Sequence, residues 1–254
     1  NGVLLTKDMS ESLIRAGLDT VAVSIAGALS KTNDSIRCGS HFEQIINNVK
    51  TLANLKLKMR SRTPKIVLSF LMTKTNIKEL PEAVKLAKDL GVNDFVAINL
   101  DYIPIVVLDE LKAFSCNHSN LEFQKYIDTA VVQAKKIKLS FRFYPLRMEE
   151  MVMCEMNPLR IIFISFDGCV SPCVYLNLPK KGLISRIFCG VNSSIQRVCY
   201  GSIAQNDLME IWNSEEYIKF RGFYERRVAV NMEVFKLIDD FQSKSDMMAL
   251  FEKL

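Results

Sequence analysis

Lys65-Ile66-Val67-Leu68-Ser69-Phe70-Leu71-Met72 is an almost unbroken apolar run, short and rich in strand-favouring residues, and it reads as a buried β-strand. Immediately after it, Asn76-Ile77-Lys78-Glu79 matches the spacing of a capping box. The following helix places Ile77, Leu80, Val84 and Ala87 on one face and stops at Gly91, and Phe95 to Leu100 forms the next strand. Working backwards, His41 to Leu55 carries a helical stripe of Phe42, Ile45, Ile46, Val49, Leu52 and Leu55. Before that stripe, Thr20 to Ile25 is a β-branched strand, and Thr6 to Ala16 is a helix with Gly17 at its C-terminal turn. Working forwards, residues 101–118 are irregular, as an insertion or lid would be. Ser119 and Glu122 have the spacing of a second capping box, Leu121 to Ile137 is helical, and Leu139 to Tyr144 is a strand. Strands alternating with helices argue for an α/β fold with parallel strands and covering helices. Four strands lie in residues 20–144, and a fifth is expected to end at Asn1. That is too few for an eight-stranded barrel, so a partial barrel is expected.

The rhythm changes after residue 145. Residues 154–201 hold cysteines, glycines and short strand-like runs with no long helix. Asp207 to Phe223 reads as a helix around Leu208, Ile211, Trp212, Tyr217 and Phe220, and residues 228–254 as one or two amphipathic helices. Three regions are therefore expected, at residues 1–145, 146–225 and 226–254. The chain has 254 residues, 49% hydrophobic and 24% charged, enough for one substantial core and a smaller appended unit. Its net charge of +5, with both signs interspersed, gives no reason to expect nucleic acid as a partner. No apolar run approaches the ~20 residues of a membrane span and no signal-peptide pattern opens the chain, so no membrane partner and a cytoplasmic location are expected.

Seven cysteines are present, at positions 38, 116, 154, 169, 173, 189 and 199. An odd number in a long chain is a poor disulfide framework, and reduced thiols that include metal ligands are the better reading. Five of them fall between Cys154 and Cys199, marking a localised site. A zinc site and ordinary burial of small side chains both remain open at this point, because four thiolates also suit zinc and free cysteines are often buried. Cys38 and Cys116 read as buried small hydrophobes, and His41 and His118 lack the spacing of a ligand pair. Taken alone, Ser24 is a small residue in a strand and Arg37 a surface charge.

The ordered set Asn1-Gly2, then Val23-Ser24-Ile25-Ala26-Gly27, then Ile36-Arg37-Cys38-Gly39, then Thr75-Asn76 and Glu79, resembles the middle of the radical S-adenosylmethionine barrel over residues 1–100. That family has Thr-Asn-Gly at one strand end, Ser-Leu-Asp-Gly at the next and an Arg-Gly pair about a dozen residues later. The resemblance implies the C-terminal part of a partial (β/α)6-type barrel. It also implies S-adenosylmethionine contacts from Ser24 and Arg37, the guanidinium suiting the carboxylate, and an adenine facing Leu100. Ala26 stands where the family has Asp, which puts one polar contact in doubt.

The second resemblance is to the SPASM segment of the same enzymes. Cys154, thirteen residues, Gly168, four residues and Cys173 reproduce the opening of that motif. Downstream, Tyr200-Gly201-Ser202-Ile203 and Ile211-Trp212-Asn213-Ser214 resemble its closing elements. It implies an auxiliary 4Fe–4S cluster with Cys154 and Cys173 as matched ligands. Cys189 and Cys199 are candidates to complete four by their place in the sequence, and Cys169 occupies a variable turn position. No cysteine follows Cys199, so at most one auxiliary cluster is expected. Ser171-Pro172-Cys173-Val174-Tyr175 looks like the subgroup that matures tungsten-cofactor oxidoreductases.

The family chemistry is reductive cleavage of S-adenosylmethionine to methionine and a 5′-deoxyadenosyl radical, which takes a hydrogen atom from substrate. The implied partners are a peptide or protein substrate and a low-potential electron donor such as flavodoxin or ferredoxin. The Cys-x3-Cys-x2-Cys motif that holds the catalytic cluster is not found in the chain, so the chain is expected to be a fragment of a maturase, unable to cleave S-adenosylmethionine by itself. The alternatives are a non-catalytic scaffold derived from the fold and a structural zinc protein.

Overall fold

The computed structural model describes residues 1–116, 120–147, 154, 156–180 and 182–232. Contacts divide the chain into two units, Asn1–Glu149 and Glu150–Leu254.

The first unit opens with helix α1 (Lys7–Arg15), where the Thr6 hydroxyl accepts from the Met9 N–H and Gly17 turns the chain at φ 72°. Strand β1 (Thr20–Ile25) follows, then α2 (Ser30–Ile36) and the long α3 (Phe42–Lys58). Strand β2 (Lys65–Met72) leads through a 3-10 turn at Ile77–Glu79 into α4 (Leu80–Asp89), with Pro81 in the first turn. Strand β3 (Asp94–Asn99), the one-turn α5 (Val106–Asp109), α6 (Leu121–Lys136) and β4 (Ser140–Phe143) complete it.

The four strands form one sheet in the order β1-β2-β3-β4, every neighbouring pair parallel. Parallel pairing through helical crossovers is what the strand–helix alternation dictates. Along β2, Ile66, Leu68, Phe70 and Met72 are fully buried, whereas Val67, Ser69 and Leu71 are half-buried. The buried face joins Val23, Ile25, Phe95 and Ala97 in one core with Ile45, Val49 and Leu52 of α3, Val84 and Ala87 of α4, and Ile127 and Ala130 of α6. The opposite face mixes apolar Val67 and Leu71 with small hydroxyls, Ser24 being in register with Ser69. A parallel sheet sealed by helices on one face and only half-buried on the other is the wall of a partial barrel.

Several expectations need correction. Asn1–Thr6 make a turn in which the Leu5 N–H donates to the Gly2 carbonyl, so these residues add no fifth strand themselves. Asn76 and Glu79 do not form a capping box, because both side chains are drawn to the loop after β1. The second box falls partly on Ser119, outside the described residues, and Asn120 caps α6 by accepting from the Phe123 N–H. Helix α2 escapes pattern reading because Ser-Lys-Thr-Asn-Asp-Ser-Ile has no apolar period.

The second unit is built from two small antiparallel pairs, β5 (Phe163–Ile164) with β6 (Val170–Ser171) and β7 (Ile184–Phe188) with β8 (Val191–Ile195). The β7–β8 hairpin turns on Cys189 and Gly190, at φ 51° and 77°, the pair of positive values a two-residue hairpin turn requires. Helix α7 (Leu208–Trp212) starts with a complete capping box, Asp207 with Glu210. The helix expected over 207–223 is broken at Asn213–Ser214. It resumes as α8, helical over residues 215–232. Arg221 bridges the break by donating to the Trp212 carbonyl at 2.7 Å with its guanidinium 4.0 Å from the indole centroid. Val170, Ile211 and Tyr217 form the core of this unit, with Tyr200 stacked on Tyr217 at 4.5 Å. Burial pushes the Tyr217 phenol up to about 12, so it stays neutral at any physiological pH. The tail expectation beyond residue 232 lies outside the described residues.

Phe95 is fully buried and stacks on Phe141 at 5.6 Å and near Phe70 at 6.3 Å. Phe95→Ala is therefore expected to cost about 3–5 kcal/mol in denaturant unfolding of the first unit. The exposed Leu57→Ala, on the outer face of α3, is expected to change that midpoint by less than about 0.5 kcal/mol.

Candidate functional site

Ligands of open parallel sheets bind beyond the carboxyl ends of the strands, so the loops after Ile25 and Met72 are where a site is expected. Three buried or half-buried polar side chains shape them. Asn76, fully buried, accepts from the Thr73 N–H at 2.7 Å and donates to the carbonyls of Leu71 at 2.7 Å and Ala26 at 2.8 Å. Asn33, also fully buried, accepts from the Ala26 N–H at 2.8 Å and donates to Asp34 Oδ1 and Ser40 Oγ. Glu79 accepts from the Ala28 N–H at 2.8 Å and from the Thr32 hydroxyl. A methyl group at Gly27 would lie 2.7 Å from the Asn33 nitrogen, so only glycine permits this close approach.

Asp34 carries the chain onward by accepting the Phe42 N–H at 3.0 Å, which caps α3 from a distance. The Asn33 amide, with the Phe42 N–H, the Ser40 hydroxyl and the His41 charge, holds the Asp34 carboxyl below the ordinary range against an opposing desolvation effect. His41 itself sits at the N-cap position of α3.

Two cavities open here and share Ile36 and Leu71. One, of about 270 Å³, is lined by Asn1, Arg37, Cys38, Gly39 and Ser40. The other, of about 500 Å³, is lined by Leu100, Leu108, Leu111, Ser35, Thr73 and Thr75. The first is polar and carries the cation, whereas the second is walled mainly by leucines. Arg37 Nε is buried and has no hydrogen-bond partner among the described residues. A guanidinium donor left in this way is what an incoming carboxylate satisfies. Arg37 and Leu100 are thus brought to adjoining cavities. Ser24 is half-buried on β1 and lines neither. Asn33, Asn76 and Glu79 were not recognised as site residues from the sequence, since Asn33 lies in a helix with no apolar period and Asn76 and Glu79 reach the loop after β1 some fifty residues away.

In the second unit, Cys154 and Cys173 are free thiols. The Cys154 N–H donates to the Tyr224 hydroxyl at 2.7 Å, which ties it to α8. Burial pushes the Cys173 thiol up, and the nearby Cys154 adds to this, while Arg186 opposes it. Cys199 is bonded to Cys169 with a Cα–Cα distance of 5.6 Å, and Cys189 is likewise not a free thiol, so neither offers a thiolate in this state. Among the described residues no group of three or more His, Cys, Asp or Glu side chains could hold a metal ion. The expected set of Cys154, Cys173, Cys189 and Cys199 is not assembled, and the pair supplies two of the four thiolates a cluster ordinarily takes. The burial expected of Cys38 and Cys116 is not found, since Cys38 is exposed and Cys116 is half-buried and not a free thiol, and His118 lies outside the described residues.

The turn before Cys173 is held by one guanidinium. Arg197 donates to Asp167 Oδ2 and Oδ1, each at 2.7 Å, to Ser165 Oγ at 3.1 Å and to Asn177 Oδ1. Gly168 takes φ 80° at the tip.

Residues 154–233 match a family described as SPASM, an iron–sulfur cluster-binding domain. The chain is 24% identical over 224 residues to the tungsten-containing aldehyde ferredoxin oxidoreductase cofactor-modifying protein of Pyrococcus furiosus, covering 87% of this chain and 60% of that one. It is 28% identical over 184 residues to a probable GTP 3′,8-cyclase of Saccharolobus islandicus, covering 69% and 56%. The chain thus carries a SPASM match over residues 154–233 and is similar in sequence to these two proteins over most of its length. The fold agrees with that of Streptococcus suis SuiB bound to S-adenosylmethionine, at a TM-score of 0.59 and 14% identity over 88% of this chain and 49% of that one. SuiB bound to the precursor peptide SuiA superposes with a TM-score of 0.53 at 16% identity, covering 85% and 47%. The chain spans about half to 60% of the lengths of these proteins. Among the described residues no helix is long and apolar enough to cross a membrane.

The Arg197 guanidinium, with the Ser165 hydroxyl, holds the Asp167 carboxyl well below the usual carboxylate range. A carboxyl depressed in the folded state contributes stability that is complete above its unfolded value of about 4 and is lost as pH falls below it. Asp167→Asn is expected to flatten the acid limb of a stability-versus-pH curve below about pH 4 while leaving the curve's shape near neutrality unchanged. An unchanged acid limb would show that the ion pair does not govern it.

Proposed function

We propose that this chain forms the S-adenosylmethionine-holding and SPASM parts of a maturase, one that modifies a peptide, a protein or a cofactor precursor. The observation that carries the reading is Arg37 Nε, buried without a hydrogen-bond partner among the described residues, beside a cavity that shares Ile36 and Leu71 with a leucine-lined one. S-adenosylmethionine has the same division: a charged amino acid end, and an adenine that needs an apolar wall. In this reading Arg37 holds the carboxylate, Leu100 packs against the adenine, and Ser24 faces the ribose side from β1. The bound cofactor supplies the carbon radical chemistry of its family. The chain's own residues orient it, through loops fixed by Asn33, Asn76 and Glu79, and exclude water with Leu100, Leu108 and Leu111.

Cys154 and Cys173 are proposed as two ligands of an auxiliary 4Fe–4S cluster. Support comes from the family match, which starts at Cys154, and from the free state of both thiols. The resemblance to a cofactor-modifying protein and to a peptide-binding enzyme favours a maturase. A low-potential donor such as flavodoxin or ferredoxin is proposed as the electron source, in the cytoplasm, because the family's chemistry needs one.

Isothermal titration of the chain with S-adenosylmethionine tests the reading. Arg37→Ala is expected to weaken binding tenfold or more, the equivalent of at least about 1.4 kcal/mol for a lost charge-assisted contact. Equal affinity of the variant and the parent would remove Arg37 from the site.

A further inference from the structure

Cys169 and Cys199 lie outside the matched ligand pair, and no role has been given to their link. Cys169 is 5% exposed, whereas Cys199 is exposed. Beside Cys169 stands Asn177, fully buried. The orientation of its amide is fixed by chemistry, because Arg197 Nε can only donate and so must meet Oδ1. Nδ2 therefore faces the cysteine, donating to Cys169 Sγ at 3.1 Å and to its carbonyl at 3.3 Å. A buried N–H donor backed by a guanidinium, and aimed at a sulfur, stabilises negative charge on that sulfur.

We propose that Cys169–Cys199 is a thiol–disulfide exchange site for an external dithiol, with Cys199 as the attacked sulfur and Cys169 as the leaving thiolate. The thiolate of the dithiol forms a bond to Cys199 Sγ, the Cys169–Cys199 bond breaks, and its electron pair goes to Cys169, held by Asn177. The second thiol of the dithiol then closes on its own bound sulfur and releases Cys199. Two electrons pass from the dithiol, which leaves as a disulfide, and its two protons end on Cys169 and Cys199. A leaving thiol of lowered basicity departs faster, and an exposed sulfur is the one an incoming thiol reaches, so both features set the same direction. The backbone does not have to open. Cys169 bridges Ser202, the Val170 N–H donates to the Gly201 carbonyl at 2.8 Å, and the Tyr200 N–H donates to the Val170 carbonyl at 2.9 Å. The site is independent of cluster binding, which would use Cys154 and Cys173.

The test uses the full chain purified in air, acid-quenched, alkylated and mapped by mass spectrometry. A Cys169–Cys199 cross-linked peptide is expected. Brief treatment with the monothiol glutathione is expected to place the adduct on Cys199 over Cys169 by at least tenfold. Asn177→Asp keeps an acceptor for Arg197 and replaces the sulfur's donor with a carboxylate. It is expected to slow reduction by dithiothreitol about tenfold. If that variant does not fold, the adduct position in the parent chain decides. Adducts on Cys169, absence of the cross-link, or an unchanged rate in folded Asn177→Asp would overturn the proposal. The double variant Cys169→Ser/Cys199→Ser is expected to retain the parent's iron and sulfide content after anaerobic reconstitution. Loss of iron in a folded double variant would return Cys199 to the ligand set and also overturn it.

Discussion

Asn76 makes three hydrogen bonds with one amide, and all three go to backbone groups at the ends of two neighbouring strands. A parallel sheet ends in carbonyls and N–H groups that no further strand partner satisfies, and burying them unpaired costs ~1–3 kcal/mol each. Asn76 satisfies those of Leu71, Thr73 and Ala26 together. By doing so it fixes the distance between the β1 and β2 ends. Asn33 and Glu79 then hold the remaining backbone of the loop after β1, and this loop delivers Arg37 to its cavity. The polar wall of the candidate site is a consequence of satisfying the strand ends.

The second unit solves a related problem with less hydrophobic material. Its core is small, centred on Val170, Ile211 and Tyr217, and its strands are short. A single guanidinium, Arg197, gathers Asp167, Ser165 and Asn177 and so sets the turn that precedes Cys173. A planar fork with several fixed donors can do this, whereas a lysine could not. The two units thus share a strategy, in which a few buried polar side chains position loops that carry the chemistry.

Much of the first unit was legible because its helices and strands obey strong periodicities. Lys65–Met72 coincides with β2, and Gly17 and Gly91 mark helix ends as the pattern requires. What was misread concerns residues with two competing uses. Asn76 and Glu79 have capping-box spacing, yet their side chains serve the β1 loop fifty residues away, a tertiary demand that local spacing cannot reveal. Helix α2 has no apolar stripe and is fixed by Asn33, so no period announced it. In the second unit the pairing of Cys199 with Cys169 was hidden for a similar reason. Order along the chain placed Cys199 among candidate ligands, but the antiparallel bridge of Cys169 with Ser202 brings those two cysteines together in space. Arg37 and Leu100, given site roles only by the family resemblance, line adjoining cavities.

The central claim is that the loops joined by Asn76 hold S-adenosylmethionine. Hydrogen exchange of the chain with and without S-adenosylmethionine tests it most directly. The account predicts slowed exchange in residues 26–40 and 71–76, with no change in the β7–β8 hairpin. Unchanged exchange in both loops at a saturating cofactor concentration, or protection confined to the second unit, would contradict it.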